Sequence, residues 1–509
     1  QACKKIAPED YLEQDCGTSC SAAREAYDME GDEYGEHGEQ SNCPSKLNFR
    51  ITKGFGTKDY GAIRISVVTD SGKSPAAGFF DYEDWFAHRW TQRFLHTAMK
   101  TVVPGETTTF YLGGEQVDVR LPAPGAGVGG VLFSDLCIPS AAGQTWIACI
   151  DNRRRSEGEE EEEEEGEEYM EDDDPEAMRE KFKYMRRVID AFAADRSTDF
   201  WGFLGNAFYD RDGDNTADIW SRFSTKAKSK LFVSVPGSHD LWVLGRPEVS
   251  SEEDQCGHGF MQHNGQDVKS AEDVGPGNKQ APYNLTVDPG AAVIEGGEWG
   301  RSQSQCLLSP AMNFFWYNRI GNVGLIGHSW SHEIEETLPH MYEACAWLSK
   351  QQDVDVALVL GHWDDISDST PEDAQAPGWF TRMARLPGCK GFAAHKSLKF
   401  VAGSGSCDEG GNSRESGFQL KAFGGGCKKV GVPVLDTTGG RLRVLYFDAS
   451  KDLSGPLNDR MDFFDRDRSP DPDRYMLDCV KQNGWRECEH FAETWFDEAL
   501  SPGSNGIMV

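Results

Sequence analysis

Four times along the chain a short apolar run stops at a small residue and gives way at once to polar groups. The four places are Cys149-Ile150-Asp151-Asn152, Phe203-Leu204-Gly205-Asn206-Ala207-Phe208-Tyr209-Asp210, Val235-Pro236-Gly237-Ser238-His239-Asp240 and Leu358-Val359-Leu360-Gly361-His362-Trp363-Asp364. An apolar run this short, bounded by turn residues and followed by helical spacing, is a strand buried on both faces, as in a parallel sheet with helices over it. Glycine turns at the carboxyl ends of such strands let side chains from several strands meet at one point. The sequence therefore predicts an α/β sandwich with a polar site along one edge.

Composition sets limits on that site. The chain has 509 residues, and 51 Lys plus Arg stand against 84 Asp plus Glu for a net charge of −33. A surface of that sign repels a nucleic-acid duplex and an anionic bilayer, so no nucleic-acid partner is expected. No run approaches the roughly 18 apolar residues of a membrane span, and none is expected. The sequence starts at Gln1 with no Met and holds 14 Cys, mostly in Gly-rich or polar segments. This reads as a mature chain from an oxidising compartment, secreted and extracellular or held in a secretory-granule lumen, with disulfides. Asn284-Leu285-Thr286 is an N-glycosylation sequon, with Asn284 the expected acceptor.

Four regions are expected. Residues 1–45 are an acidic extension carrying Cys3, Cys16, Cys20 and Cys43; residues 46–143 alternate like a β-rich module; residues 144–450 form the α/β domain; and residues 451–509 form a helical tail with Cys479 and Cys488. The aromatic run Phe79 to Phe86 reads as packing rather than as a ligand patch. Within the α/β domain, residues 157–176 hold fifteen acids and no base, a self-repelling solvated loop. Apolar positions from Met178 through Phe192 then recur at helical spacing, predicting a helix over 175–195.

With these strand ends in hand, the chain resembles the calcineurin-like metallophosphoesterases over roughly residues 145–450, and within them the purple acid phosphatase branch and a group of secreted relatives. The family pattern is a Gly-Asp strand end, then Gly-Asp-Asn-Phe-Tyr, Gly-Asn-His-Asp, Gly-His and Gly-His-x-His. The resemblance implies a four-layer αββα sandwich and a pair of iron, zinc or manganese ions that activate water against a phosphate ester. Carried over by position, Asp151 and Tyr209 match ligands of the first metal, while His362 and His395 match imidazoles of the second. His239 matches the histidine that contacts phosphate and can protonate the leaving group, with Asp240 orienting it. Asp135, in Asp135-Leu136-Cys137, is the alternative to Asp151, and His490 is the other histidine beyond His362.

The departures matter as much. The bridging aspartate position is Asn206, whose neutral amide supplies no anionic bridge. Ser238 stands at the metal-binding Asn, and the last motif reads Ala394-His395-Lys396-Ser397, with one imidazole lost and a cation gained. His328 and His332 are spaced i, i+4 and read as packing or surface histidines, or as a metal pair if helical. Asp210, Asp212, Asp214 and Asp218 surround Gly213 as calcium loops do, so calcium binding is expected there, with a plain acidic turn as the alternative. The favoured reading is a secreted, non-catalytic pseudo-phosphatase, a scaffold or assembly component with an extracellular protein partner and a role for calcium. The alternative is an active phosphomonoesterase that takes a phosphate-ester ligand at an altered metal site.

Overall fold

The computed structural model describes residues 47–53, 59–70, 73–80, 82–83, 94–134, 175–206, 214–237, 240, 315–328, 334–362, 379–403, 419–422, 431–449, 452 and 470–500. Two sheets face one another. The larger has ten strands in the order β17-β16-β15-β7-β8-β9-β1-β2-β4-β3. They are β1 (Phe49–Lys53), β2 (Ala62–Thr69), β3 (Tyr82–Glu83), β4 (Phe94–Thr101), β7 (Gly129–Phe133), β8 (Phe200–Leu204), β9 (Leu231–Val235), β15 (Gly431–Asp436), β16 (Arg441–Asp448) and β17 (Ala492–Ala499). The smaller runs β10 (Trp316–Ile320), β11 (Val323–Gly327), β12 (Val356–Gly361), β13 (Ser397–Gly403) and β14 (Gln419–Ala422), in that order. A separate hairpin joins β5 (Thr107–Leu112) to β6 (Glu115–Arg120).

Strand alternation sorts the side chains into layers. Leu132 of β7, Phe200 and Leu204 of β8, and Val233 and Val235 of β9 belong to the core shared with Leu325, Leu358 and Leu360 of the smaller sheet. Their neighbours Val131, Phe133, Trp201, Phe203 and Phe232 point the other way, into a second core. There they meet α1 (Pro175–Ala194), α2 (Asp214–Arg222), α3 (Thr225–Lys228) and α7 (Met476–Asn483). On the far side of the smaller sheet, α4 (Ile334–Leu348), α5 (Trp379–Ala384) and α6 (Pro387–His395) supply Met341, Leu348, Met383 and Phe392. Helix, sheet, sheet and helix thus make the four layers that the resemblance implied.

The second core is aromatic. Trp201, Phe203, Trp220, Phe223 and Phe232 contact one another with ring centroids 5.0 to 5.7 Å apart, mostly edge to face. Each such pair adds about 1 kcal/mol beyond the area it buries. The sheets are tied by Trp316, whose indole Nε1–H donates to the Ser234 carbonyl at 2.9 Å. A buried disulfide joins Cys345 of α4 to Cys389 of α6, and a second joins Cys479 of α7 to Cys488.

Two expectations differ from the structure and two are met by it. The strands of the 46–143 segment do form, but β1 to β4 and β7 continue the sheet of β8 and β9 rather than closing a sheet of their own. The C-terminal tail is only partly helical: after α7 and a 3-10 stretch over Trp485–Phe491 it becomes β17, the edge strand against β16. Helical spacing over 175–195 is realised as α1, whose Met185, Val188, Ile189 and Phe192 are buried. Within the aromatic run, Phe80 is buried and Phe79 packs on it, as expected of packing residues. The acidic loop through residue 174, the first 46 residues and Asn284 lie outside the described residues. No described helix is long and apolar enough to cross a membrane.

Candidate functional site

Because β7, β8 and β9 run parallel, their carboxyl ends share one edge of the large sheet. The chain leaves β8 through Gly205 at φ +88° and Asn206 at φ +48°. Two successive left-handed residues make a turn that Gly adopts freely and that Asn or Asp tolerates better than other side chains. A β-carbon at Gly205 would come within 2.6 Å of the Gly237 nitrogen and 2.8 Å of His362 Cγ, and one at Gly237 within 2.3 Å of Asn206 Oδ1. The two glycines therefore let the turns after β8 and β9 and the histidine after β12 close on each other.

Polar side chains lock that meeting. Asp240 Oδ2 accepts the backbone N–H of Asn206 at 2.6 Å and of Gly237 at 2.8 Å, so one carboxylate fixes both turns. His362, buried at the end of β12, holds Nδ1 2.7 Å from the Leu204 carbonyl. A carbonyl can only accept, so Nδ1 carries the proton, and in the neutral ring Nε2 is then the acceptor nitrogen. Asn206, Asp240 and His362 are the predicted site residues that the structure brings together. Asp151, Tyr209, His239, Asp210 and Asp212 lie outside the described residues. Asp214 opens α2 and Asp218 stands one turn further along it. His328 is buried at the end of β11, with its N–H on the Leu360 carbonyl, and is not part of α4.

Two assignments need correction. His395 ends α6, and the next strand begins at Ser397, paired with Val356 at the start of β12. His362 follows the opposite end of β12, about 20 Å away at roughly 3.3 Å per residue, so the two imidazoles cannot share a metal. Lys396 belongs to that far end too: its ammonium donates to the carbonyls of Gln351, at 2.9 Å, and Val354, and burial lowers its pKa. It places no cation beside His362. Ala402 pairs with Gly361, so the segment leaving β13 beside His362 is Gly403-Ser404-Gly405-Ser406. That segment has the glycine of Gly-His-x-His, with serine where both histidines stand.

The second correction concerns Asp151. Both neighbours of β8 are taken, β9 on one side and β7 on the other, so the Trp146–Ile150 run cannot supply the adjoining strand end. The residues that follow β7 are Ser134 and Asp135, which makes Asp135 the candidate at that position.

No family model matches the chain, and no curated protein matches it. Among solved structures it is similar to the purple acid phosphatase PPD1 isolated from yellow lupin (Lupinus luteus) seeds, at 11% identity and a TM-score of 0.40, covering 79% of this chain and 72% of that one. It is also similar to PhoD, at 8% identity and a TM-score of 0.38 over 80% of this chain and 87% of that one. A dimetal phosphatase from Danio rerio matches at 12% identity and a TM-score of 0.28, over 62% and 95%.

On the motif positions that the sequence resemblance implies, the donor set would not suit a dinuclear metal pair. In that resemblance the bridging position would fall on the neutral Asn206, and the third and fifth motif positions on Ser238, Ser404 and Ser406. Neutral amide and hydroxyl oxygens neither offset the repulsion between two cations nor bind soft or borderline ions as imidazole does. Among the described residues no group of three or more His, Cys, Asp or Glu side chains is close enough to hold a metal ion.

Proposed function

We propose that the chain keeps the frame of a metallophosphoesterase without its two-metal chemistry, and that it works as a secreted, non-catalytic scaffold or assembly component. The observation that carries this reading is Asn206: buried, left-handed and held by the Asp240 carboxylate at the place where the resemblance calls for an anionic bridge. The serines at 404 and 406 support it, since they withdraw two imidazoles from the same edge. Calcium at the Asp210 to Asp218 cluster and glycosylation at Asn284 belong to the same secreted reading.

One observation favours a second reading. The His362 tautomer leaves Nε2 as the acceptor nitrogen, as a metal-binding histidine would, which suits a phosphomonoesterase with an altered metal site, Asp135 and Tyr209 as further ligands and His239 contacting phosphate. Elemental mass spectrometry of the full chain purified without chelators, with a p-nitrophenyl phosphate assay on the same sample, separates the two. Calcium alone or no metal, with no turnover, is the expected result. Stoichiometric iron, zinc or manganese with turnover overturns the scaffold reading. A melting temperature indifferent to millimolar calcium would remove the calcium part of it.

A further inference from the structure

Helix α7 starts without a cap of its own. Tyr475 stands at its N-cap and makes no side-chain hydrogen bond to the helix end. The first N–H groups of a helix need an acceptor, and here it comes from elsewhere in the chain. Asp452, which follows β16, accepts the N–H of Met476 through Oδ1 and that of Leu477 through Oδ2, both at 3.3 Å. The phenol of Tyr184, on α1, donates to Asp452 Oδ2 at 2.7 Å. One carboxylate thus joins the segment leaving the large sheet, the helix α1 over it and the amino end of α7.

Its surroundings oppose its charge. Asp452 is 7% exposed, and Tyr184, Met476 and Leu477 around it belong to the aromatic second core. Among the described residues no cation pairs with it. Asp478 of α7 bears on it with the same sign, and Asp448, at the end of β16, bears with Asp478 on Tyr184. The cations of the two helices, Arg186 and Arg187 on α1 and Lys481 on α7, act on one another, with Asp190 and Asp478 beside them. Removal from water is the largest influence on the Asp452 carboxyl and outweighs the three hydrogen bonds, which favour the ionised form, so its pKa is raised. A neutral carboxyl can still accept N–H groups, and it can donate its own O–H to the phenol oxygen.

A carboxyl whose folded pKa lies above its unfolded value near 4 contributes stability that is fully present below that value and is lost as pH rises through the folded pKa. Here the loss is local. Beyond α7 the chain is held separately, by Trp485 Nε1–H on Thr198 Oγ1 at 3.1 Å and by Arg486 on Asp436 at 3.1 Å. The Asp436 carboxyl is shifted the opposite way, so it stays ionised over the range in which Asp452 titrates. The amino end of α7 is therefore the part that feels the change.

We propose that Asp452 is a pH-sensitive latch for α7: its neutral carboxyl fastens the amino end of the helix to α1, and its ionised form lets that end loosen. Amide hydrogen exchange of the full chain, read by mass spectrometry from about pH 4.5 to about pH 8 and corrected for the intrinsic rate, tests this. Protection of peptides covering Met476–Asn483 should fall several-fold as pH rises, with β8 and β9 unchanged. Asp452→Asn keeps the shape and cannot ionise, so it should hold that protection high throughout. The same pH dependence in the variant as in the wild type, no pH dependence in the wild type, or low protection of α7 at every pH in the variant overturns the proposal. Tyr184→Phe is the second variant. It removes a donor that favours the ionised form, so the loosening should move to higher pH; a midpoint that stays or falls overturns the latch as well.

Discussion

The two ends of the large sheet handle polar groups in opposite ways. At the end where β7 begins, Asp436 is fully buried and paired with Arg443 at 2.5 Å and Arg486 at 3.1 Å, while Glu489 takes the other side of Arg443. Thr437 beside it links Val128 to Asn322 of the facing sheet. Charge there is answered by charge. At the end where β8 finishes, Asp240 and His362 bind main-chain atoms of glycine turns instead. The first arrangement is a closed ionic weld; the second holds a backbone geometry that three strands must share. Stability should therefore depend most on the first, and any ligand chemistry on the second.

The largest effect tests the weld. Asp436→Ala leaves two arginines without their buried carboxylate and should cost about 3 kcal/mol in denaturant unfolding, the cost of breaking a buried pair from one side. Burial alone would raise the Asp436 carboxyl, but hydrogen bonds from Arg443 and Thr438 prevail and hold it below the ordinary value. A depressed folded pKa means stability that is present above the unfolded value near 4 and lost as pH falls below it. Asp436→Asn should flatten that acid limb of the stability profile; an unchanged limb would show that Asp436 does not drive it.

Next in size is the turn at the other end. Gly205→Ala must place a side chain at φ +88° and press it on Gly237 and His362, a cost of about 1–3 kcal/mol by thermal melt. A loss under about 0.5 kcal/mol would mean that the three strand ends meet less tightly than described. Lys396→Gln comes third: two carbonyls lose a charged donor, for about 1 kcal/mol, and metal content should not change. A gain of bound metal would restore Lys396 to the site.

Much of this was legible in the sequence because local patterns carried it. The ends of β8, β9 and β12 stand out as apolar runs breaking at glycine, and α1 shows its buried stripe by spacing alone. What escaped depends on partners distant in sequence. Strand β7 opens with Gly129-Gly130, which reads as a turn; in the fold Gly130 faces the Phe200 ring, where a β-carbon would lie 2.2 Å from Cζ. Asp151 reads as the better match in the sequence because it stands nearer the helix start, whereas Asp135 follows β7. His395 has a plausible spacing in the sequence, but a ligand must leave the carboxyl end of its strand, and only the pairing of Val356 with Ser397 shows that it precedes one. Strand β17 has no clean alternation and owes its place to pairing with β16 and to the Arg441–Asp497 and Lys399–Glu498 ion pairs.

The smallest stability change belongs to Asn206→Asp, and it sharpens the comparison most. The site already accommodates this side chain in shape, because aspartate is close in volume and equally tolerant of the left-handed turn, so folding should change by less than about 1 kcal/mol. What changes is charge: a carboxylate would face an edge where, on the proposed reading, Ser404 and Ser406 stand at the two imidazole positions. If missing donors rather than missing charge disable this edge, the single substitution should give neither bound metal nor p-nitrophenyl phosphate turnover. Combining it with Ser404→His and Ser406→His should raise metal content in elemental analysis. Turnover from Asn206→Asp alone would mean that the amide was the only fault, and the strand ends would then be an active centre one atom short.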